Sequence, residues 1–127
     1  MSKPTRTARE VVELYNYAAW NEQKIDLLDE IVADEILRHS VNDIVTMTRE
    51  QAKARITGYW ASISHVVFTL PIIVAGDDGE HVAAVYQADI TTLDGAVEAI
   101  ASIEVFRVVD GRITDVWNNT HQPGHWR

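Results

Sequence analysis

The 127-residue sequence predicts an α+β domain in which a curved antiparallel sheet wraps around N-terminal helices. Three observations carry that prediction. Two capping-box tetrapeptides, Thr7-Ala8-Arg9-Glu10 and Thr48-Arg49-Glu50-Gln51, each open a run of apolar residues at helical spacing. From Val66 onward the pattern changes to β-branched runs broken at Gly76-Asp77-Asp78-Gly79, Asp94-Gly95 and Asp110-Gly111, the punctuation of an antiparallel meander. Helices that come first and strands that follow define an α+β layout, not an alternating one.

The elements follow in order. In a capping box the Thr hydroxyl accepts from a free helical N–H and the acidic or amide side chain three residues on reaches back. After the first box, Ala8, Val11, Val12, Tyr15, Ala18 and Ala19 recur on one helical face. A shorter helix is predicted over residues 24–33, with Ile25, Leu28 and Val32 on its stripe. Residues 36–41 read as extended, and Leu37, His39 and Val41 then share a face. The second box opens a helix whose inner side carries Ala52, Ile56, Tyr59, Trp60 and Ile63. Strands are predicted over residues 66–75, 81–93, 96–109 and 112–121. Pro71 cannot donate to a ladder, so the first of these sits at an edge or carries a bulge. The tail from Gln122 reads as irregular. The helices cannot bury their stripes on one another alone. A sheet curved around them is the solution, and it leaves a cavity between the first helix, the third helix and the concave face.

Composition excludes several functions. Lys and Arg total 11 against 19 Asp and Glu, a formal net charge of −8, which is unsuited to nucleic acid or an anionic membrane surface. A hydrophobic fraction of 46% is enough for a core and excludes intrinsic disorder. The absence of Cys excludes disulfides, thiolate metal sites and a Cys nucleophile. No apolar run reaches the ~18 residues of a membrane span, and residues 1–6 lack an apolar signal core. One domain over residues 1–127, soluble and cytoplasmic, is the expectation.

Strand parity sorts the candidate site residues. Over residues 99–109 one face carries Ile100, Ser102, Glu104, Phe106 and Val108, and the other Ala99, Ala101, Ile103, Val105 and Arg107. Both faces are largely apolar, so one meets the helices and the other a second subunit, which predicts a homodimer. Glu104 has two readings. Among apolar neighbours its pKa rises and it can donate a hydrogen bond as a neutral acid; on the outer face it pairs with an Arg or meets solvent. Asp89 is unusual in mid-strand and suits a general base or a partner for a His; the alternative is a solvated Asp on the outer face. His39, on the Leu37/Val41 face, can move a proton in either direction near neutral pH. A His on an apolar face is more often a hydrogen-bonded core residue. The convergence of His39, Asp89 and Tyr15 on one predicted cavity raises the functional reading. Trp20, Tyr59, Trp60, Phe106 and Trp117 are candidate substrate-binding aromatics, with Asn118 beside them. In the last strand either Val116, Asn118 and Thr120 or Asp115, Trp117, Asn119 and His121 line the pocket. His39, His121 and His125 match no metal-ligand spacing, so no metal site is expected.

The segments Val11-Val12-Glu13-Leu14-Tyr15, Ala33-Asp34-Glu35-Ile36-Leu37-Arg38-His39, Ile103-Glu104-Val105-Phe106-Arg107 and Asp110-Gly111-Arg112-Ile113 give the chain a family likeness. It resembles the nuclear transport factor 2-like superfamily, which includes SnoaL-like polyketide cyclases and ketosteroid isomerases. The resemblance implies a cone-shaped sheet around a pocket, and often a dimer. By resemblance to ketosteroid isomerases, Tyr15 matches the helix-1 oxyanion donor and Glu104 the protonated carboxylic acid on the penultimate strand. Their general-base Asp falls at or beside Ser40, so His39 or Asp89 would supply the base. Limonene epoxide hydrolase-like members pair an Arg with an Asp two residues on, and here Gln87 stands before Asp89. Their second Asp falls near Asn118 or Asn119.

The function expected from this reading is a small cofactor-independent enzyme that isomerises, cyclises or dehydrates an apolar, carbonyl-bearing molecule. Asp89 or His39 takes the proton, while Tyr15 and Glu104 stabilise the enolate oxygen. The alternative is a non-catalytic module of the same fold that binds a small molecule or a protein.

Overall fold

Thr7 starts the first helix as the sequence predicts: its hydroxyl accepts from Glu10 N at 3.1 Å, and the Glu10 carboxylate accepts from Thr7 N. A computed structural model describes residues 5–127 of the chain; the reading of residues 1–4 lies outside that range. Helix α1 (Ala8–Glu13) continues into a π-helical segment (Leu14–Trp20). Its hydrogen bonds reach one residue further than in an α-helix, as in Asn21 N to Asn16 O. Residues five apart, such as Tyr15 and Trp20, then share a face. A 3₁₀ turn (Ile25–Leu27) leads to α2 (Leu28–Ile31), which ends earlier than predicted because Val32 already belongs to β1 (Val32–Ser40).

Strand β2 (Asp43–Thr48) has no counterpart in the sequence reading. Its Ile44 and Val45 are 61% and 47% exposed, so no buried alternation marks it. It is held instead by the β1 ladder, through a tight turn in which Asn42 takes a φ of 68°, a left-handed conformation that Asn tolerates. Helix α3 (Arg49–Ser62) opens at the second capping box, and both of that box's reciprocal hydrogen bonds are formed. The meander follows as β3 (His65–Ala75), β4 (His81–Thr91), β5 (Val97–Val109) and β6 (Arg112–Asn118).

The sheet order is β2-β1-β6-β5-β4-β3, antiparallel except where β1 and β6 run parallel. Pro71 satisfies both readings made of it: β3 is an edge strand, and its register shifts between Thr69 and Ile72. Helix-end side chains cover that edge. Asn21 accepts from Phe68 N at 2.7 Å and donates to Phe68 O at 2.8 Å, and the Tyr17 hydroxyl accepts from Leu70 N at 3.0 Å. The tail is more ordered than predicted. Strand β7 (Gln122–Pro123) pairs with β5, and Trp126 Nε1 then donates to Tyr86 O at 2.8 Å.

Between the helices and the concave face lies the core, where Val11, Val12, Leu28, Ile31, Ile56 and Phe106 are essentially inaccessible. Among the described residues no helix is long and apolar enough to cross a membrane.

Candidate active site

Ladder register decides which side chains enter the hollow. Glu104 on β5 stands opposite Asn118 on β6, and Tyr86 on β4 opposite Ser102 on β5. In the parallel β1–β6 ladder Arg38 faces the buried Val116, which puts Arg38 on the same concave side. Arg38, Asn118, Glu104 and Tyr86 therefore share the concave face as a diagonal polar row across β1, β6, β5 and β4. This row is the floor of a cavity of about 470 Å³. The π-helical segment supplies the opposite wall with Tyr15, Asn16 and Trp20. Helix α3 adds Arg55 and Tyr59, and β3 adds Phe68. Ile90 and Ile100 complete the apolar lining, and the exposed Glu98 and His121 border it.

Packing fixes the wall. Trp20 is the hub of an aromatic cluster, with ring centroids 5.0 Å from Phe68, 5.9 Å from Tyr59 and 6.0 Å from Trp60. Such edge-to-face pairs hold ring orientations as well as burying area. The Tyr15 ring leans edge-on against Phe106 at 5.8 Å. Asn16 is buried and donates to Val12 O at 2.9 Å.

The floor is electrostatically unusual. Burial pushes the Glu104 carboxyl above the ordinary range, against the opposing pull of the Arg38 and Arg55 guanidinium groups. Tyr86 is pushed up to about 12 by burial and by the neighbouring Glu104, with a hydrogen bond to Ser102 opposing. Burial also raises Tyr59, and Glu98 adds to the effect. Burial and the like charge of Arg55 weaken the protonated form of Arg38. The floor thus favours neutral acids and disfavours unpaired charge.

The structure brings together only part of the predicted site. Tyr15, Glu104, Trp20, Tyr59 and Asn118 line the cavity. His39 does not: its Nε2 lies 2.8 Å from Asp115 Oδ2, and its ring stacks on Trp117 at 4.4 Å, on the convex side. Burial raises Asp115, but hydrogen bonds from His39 and Thr114 together hold it below the usual carboxylate range. Trp117 is thus a stacking partner on the outer face. Asp89 is also outward and exposed, 3.0 Å from His125 Nε2. Phe106 is core, 1% exposed, and Trp60 stands behind Trp20.

Parity explains these differences. In residues 36–41 the face of Leu37, His39 and Val41 holds two apolar residues and the alternate face only Ile36, so the sequence favours the former as inward. The outer face of this sheet is also apolar, so hydrophobicity could not choose the side. The alternate face carries Ile36 and Arg38 inward. Sequence reasoning missed Arg38, Asn16, Arg55, Tyr86 and Glu98 as lining residues; of its two alternative sets for the last strand, the cavity takes Asn118 from one and His121 from the other. Arg55 had a usable signal: it lies one helical turn before Tyr59 on α3. Among the described residues one group, Asp78, Glu80 and His81, has metal-ligand spacing. It lies away from the cavity in the β3–β4 turn, where Asp78 already accepts from Glu80 N at 2.8 Å and His81 N at 3.0 Å.

A sheet curved around helices, enclosing a cavity with a polar floor, is the nuclear transport factor 2-like architecture. The chain belongs to the SnoaL-like domain family, whose model matches residues 11–116. Solved structures agree on the fold. A SnoaL-like polyketide cyclase from Agrobacterium tumefaciens superposes with a TM-score of 0.74 at 18% identity, covering 92% of each chain. An epoxide hydrolase of the LEH-like type from M. tuberculosis gives 0.71 at 18% identity, over 88% of this chain and 80% of that one. A protein of ketosteroid isomerase-like fold from Catenulispora acidiphila gives 0.71 at 21% identity, over 88% and 85%. No curated protein matches the sequence.

Proposed function

We propose that the cavity catalyses proton transfer beside a carbonyl group on an apolar small molecule, as in isomerisation, aldol-type cyclisation or dehydration, without a cofactor. The observation that carries this reading is a half-buried carboxyl, Glu104, sharing one hollow with the Tyr15 phenol. A carboxyl that keeps its proton donates a hydrogen bond to the oxygen of a forming enolate, and Tyr15 is the second donor. The base is His121 at the border of the cavity, in place of His39 and Asp89, which face the other way. An imidazole suits that task near neutral pH.

The test is proton–deuterium exchange of bicyclic enolisable ketones, followed by NMR. The wild-type protein is expected to accelerate exchange. Tyr15→Phe should lower the rate by about 10²–10³-fold, as loss of an oxyanion donor does. His121→Ala should lower it by about 10²–10⁴-fold, while Asp89→Asn leaves it unchanged. Equal rates in the wild type, Tyr15→Phe and His121→Ala overturn the reading. No exchange across the panel favours a binding module instead.

We also propose that the chain works as a homodimer through the convex face of the sheet. Leu37 and Ile103 are 38% and 49% exposed there, and Ile72 and Val74 are 55% and 57% exposed.

A further inference from the structure

Apart from the exposed Arg127, the arginines fall into two groups. Arg6 pairs with Glu30, Arg9 with Glu13, Arg49 with Asp34 and Arg107 with Glu80, and Arg112 donates to Val32 O. Arg38 and Arg55 line the cavity, and neither has an ion pair or side-chain hydrogen bond among the described residues. Arg38 sits mid-strand on β1 and is half-buried; Arg55 reaches in from α3. A guanidinium withdrawn from water without a partner is unfavourable, and two facing one hollow repel each other.

The protein offers no full internal answer to these charges. Glu104 is on the same floor but forms no salt bridge with either guanidinium among the described residues, and its burial favours the uncharged acid. Glu98 is exposed at the border and likewise unpaired among the described residues. The rest of the lining holds no further carboxylate: Asn16, Asn118 and His121 are polar, and the remainder is apolar or aromatic. The missing group is therefore an anion that arrives with the ligand.

We propose that the substrate is a monoanionic carboxylate on an apolar ring system, its carboxylate held by Arg38 and Arg55. This rests on the proton-transfer reading of the same cavity and adds its substrate class. The planar guanidinium fork matches a carboxylate with two parallel N–H···O bonds. The cavity, about 470 Å³, lies in the size range of small-molecule sites and admits two fused rings. A net charge of −8 opposes the approach of polyanions, which favours a single negative charge over a phosphate.

The experiment is isothermal titration calorimetry near neutral pH with 2-naphthoate and its neutral isostere 2-naphthamide. The carboxylate is expected to bind at least about tenfold more tightly than the amide, the scale of a charge-assisted hydrogen bond. Arg38→Gln and Arg55→Gln should each remove most of that preference, and the double variant all of it. Affinity for the amide should not change, which shows that the cavity survives in each variant. Equal affinity for the two probes, binding of neither, or a preference that persists in the double variant overturns the proposal. The titration needs no turnover. A retained carboxylate preference with no ketone exchange removes the proton-transfer reading alone, and exchange without the preference removes only the anion.

Discussion

Glu104 carries a consequence for stability as well as for chemistry. Its folded pKa is raised by burial, while in the unfolded chain it titrates as an ordinary carboxyl. Between those two values the unfolded chain loses the proton more readily than the folded one. Stability therefore falls as pH rises through that window and levels off above the folded pKa. Arg38 and Arg55 face the same carboxyl and narrow the window, whereas Tyr86, pushed up by burial, remains a neutral phenol across it. Asp115, held low, has the opposite sign: its contribution is present above the ordinary carboxyl pKa and is lost as pH falls through the folded value. Urea midpoints measured against pH should show Glu104→Gln gaining on the wild type as pH rises from the ordinary carboxyl range towards neutrality. Parallel curves would mean that Glu104 ionises as freely in the fold as out of it. This residue was legible in the sequence because a carboxyl among Ile100, Phe106 and Val108 breaks an apolar face. Its neighbours Arg38 and Tyr86 were not. Cations and phenols are at home on either side of a strand, and only the ladder register reveals their side.

Capping boxes and Asp-Gly turns are local chemistry, which is why α1, α3 and the four-strand meander could be read from the sequence. The π-helical segment, β2 and β7 depend on contacts distant in sequence, and no local pattern announces them. The π-helical segment matters most for the site. It turns Trp20 from the flank of the apolar stripe into the aromatic hub of the wall, beside Tyr15. Its end is anchored by Asn21, whose amide reproduces a strand partner for Phe68 on the open edge of β3. Removing that amide leaves a part-buried N–H and C=O without their partners. Asn21→Ala should therefore cost about 1–3 kcal/mol in urea unfolding, at the upper end if water cannot reach the edge. The same change should increase amide exchange at Phe68 and weaken ligand binding through Trp20 and Phe68. A loss below the lower bound would show that the edge is solvated without Asn21.

The sheet as a whole is apolar on both sides, and this feature both misled the placement of His39 and points to a partner. A concave face filled by helices accounts for Ile100, Phe106 and Val108. It does not account for Ile103, or for Ile72 opposite Val85 and Val74 opposite Ala83, all on the convex side. The tail covers part of that side: Gln87 Nε2 donates to Gly124 O at 3.0 Å and is buried by it. The remaining patch runs from Ile103 through Val85 to Ile72 and Val74, and an exposed apolar surface spanning several strands is a mark of association. A second copy of the chain can present the same patch about a two-fold axis, burying on the order of 800 Å² per subunit. Sedimentation at micromolar concentration should then give a dimer. Ile103→Glu places a like charge against the patch of each partner and should yield a monomer. Because Ile103 points away from the cavity, the variant should keep the wild-type circular dichroism and its affinity for 2-naphthoate. A wild-type monomer at that concentration, or a dimer undisturbed by Ile103→Glu, would remove the convex face as the interface and leave its hydrophobicity to some other partner.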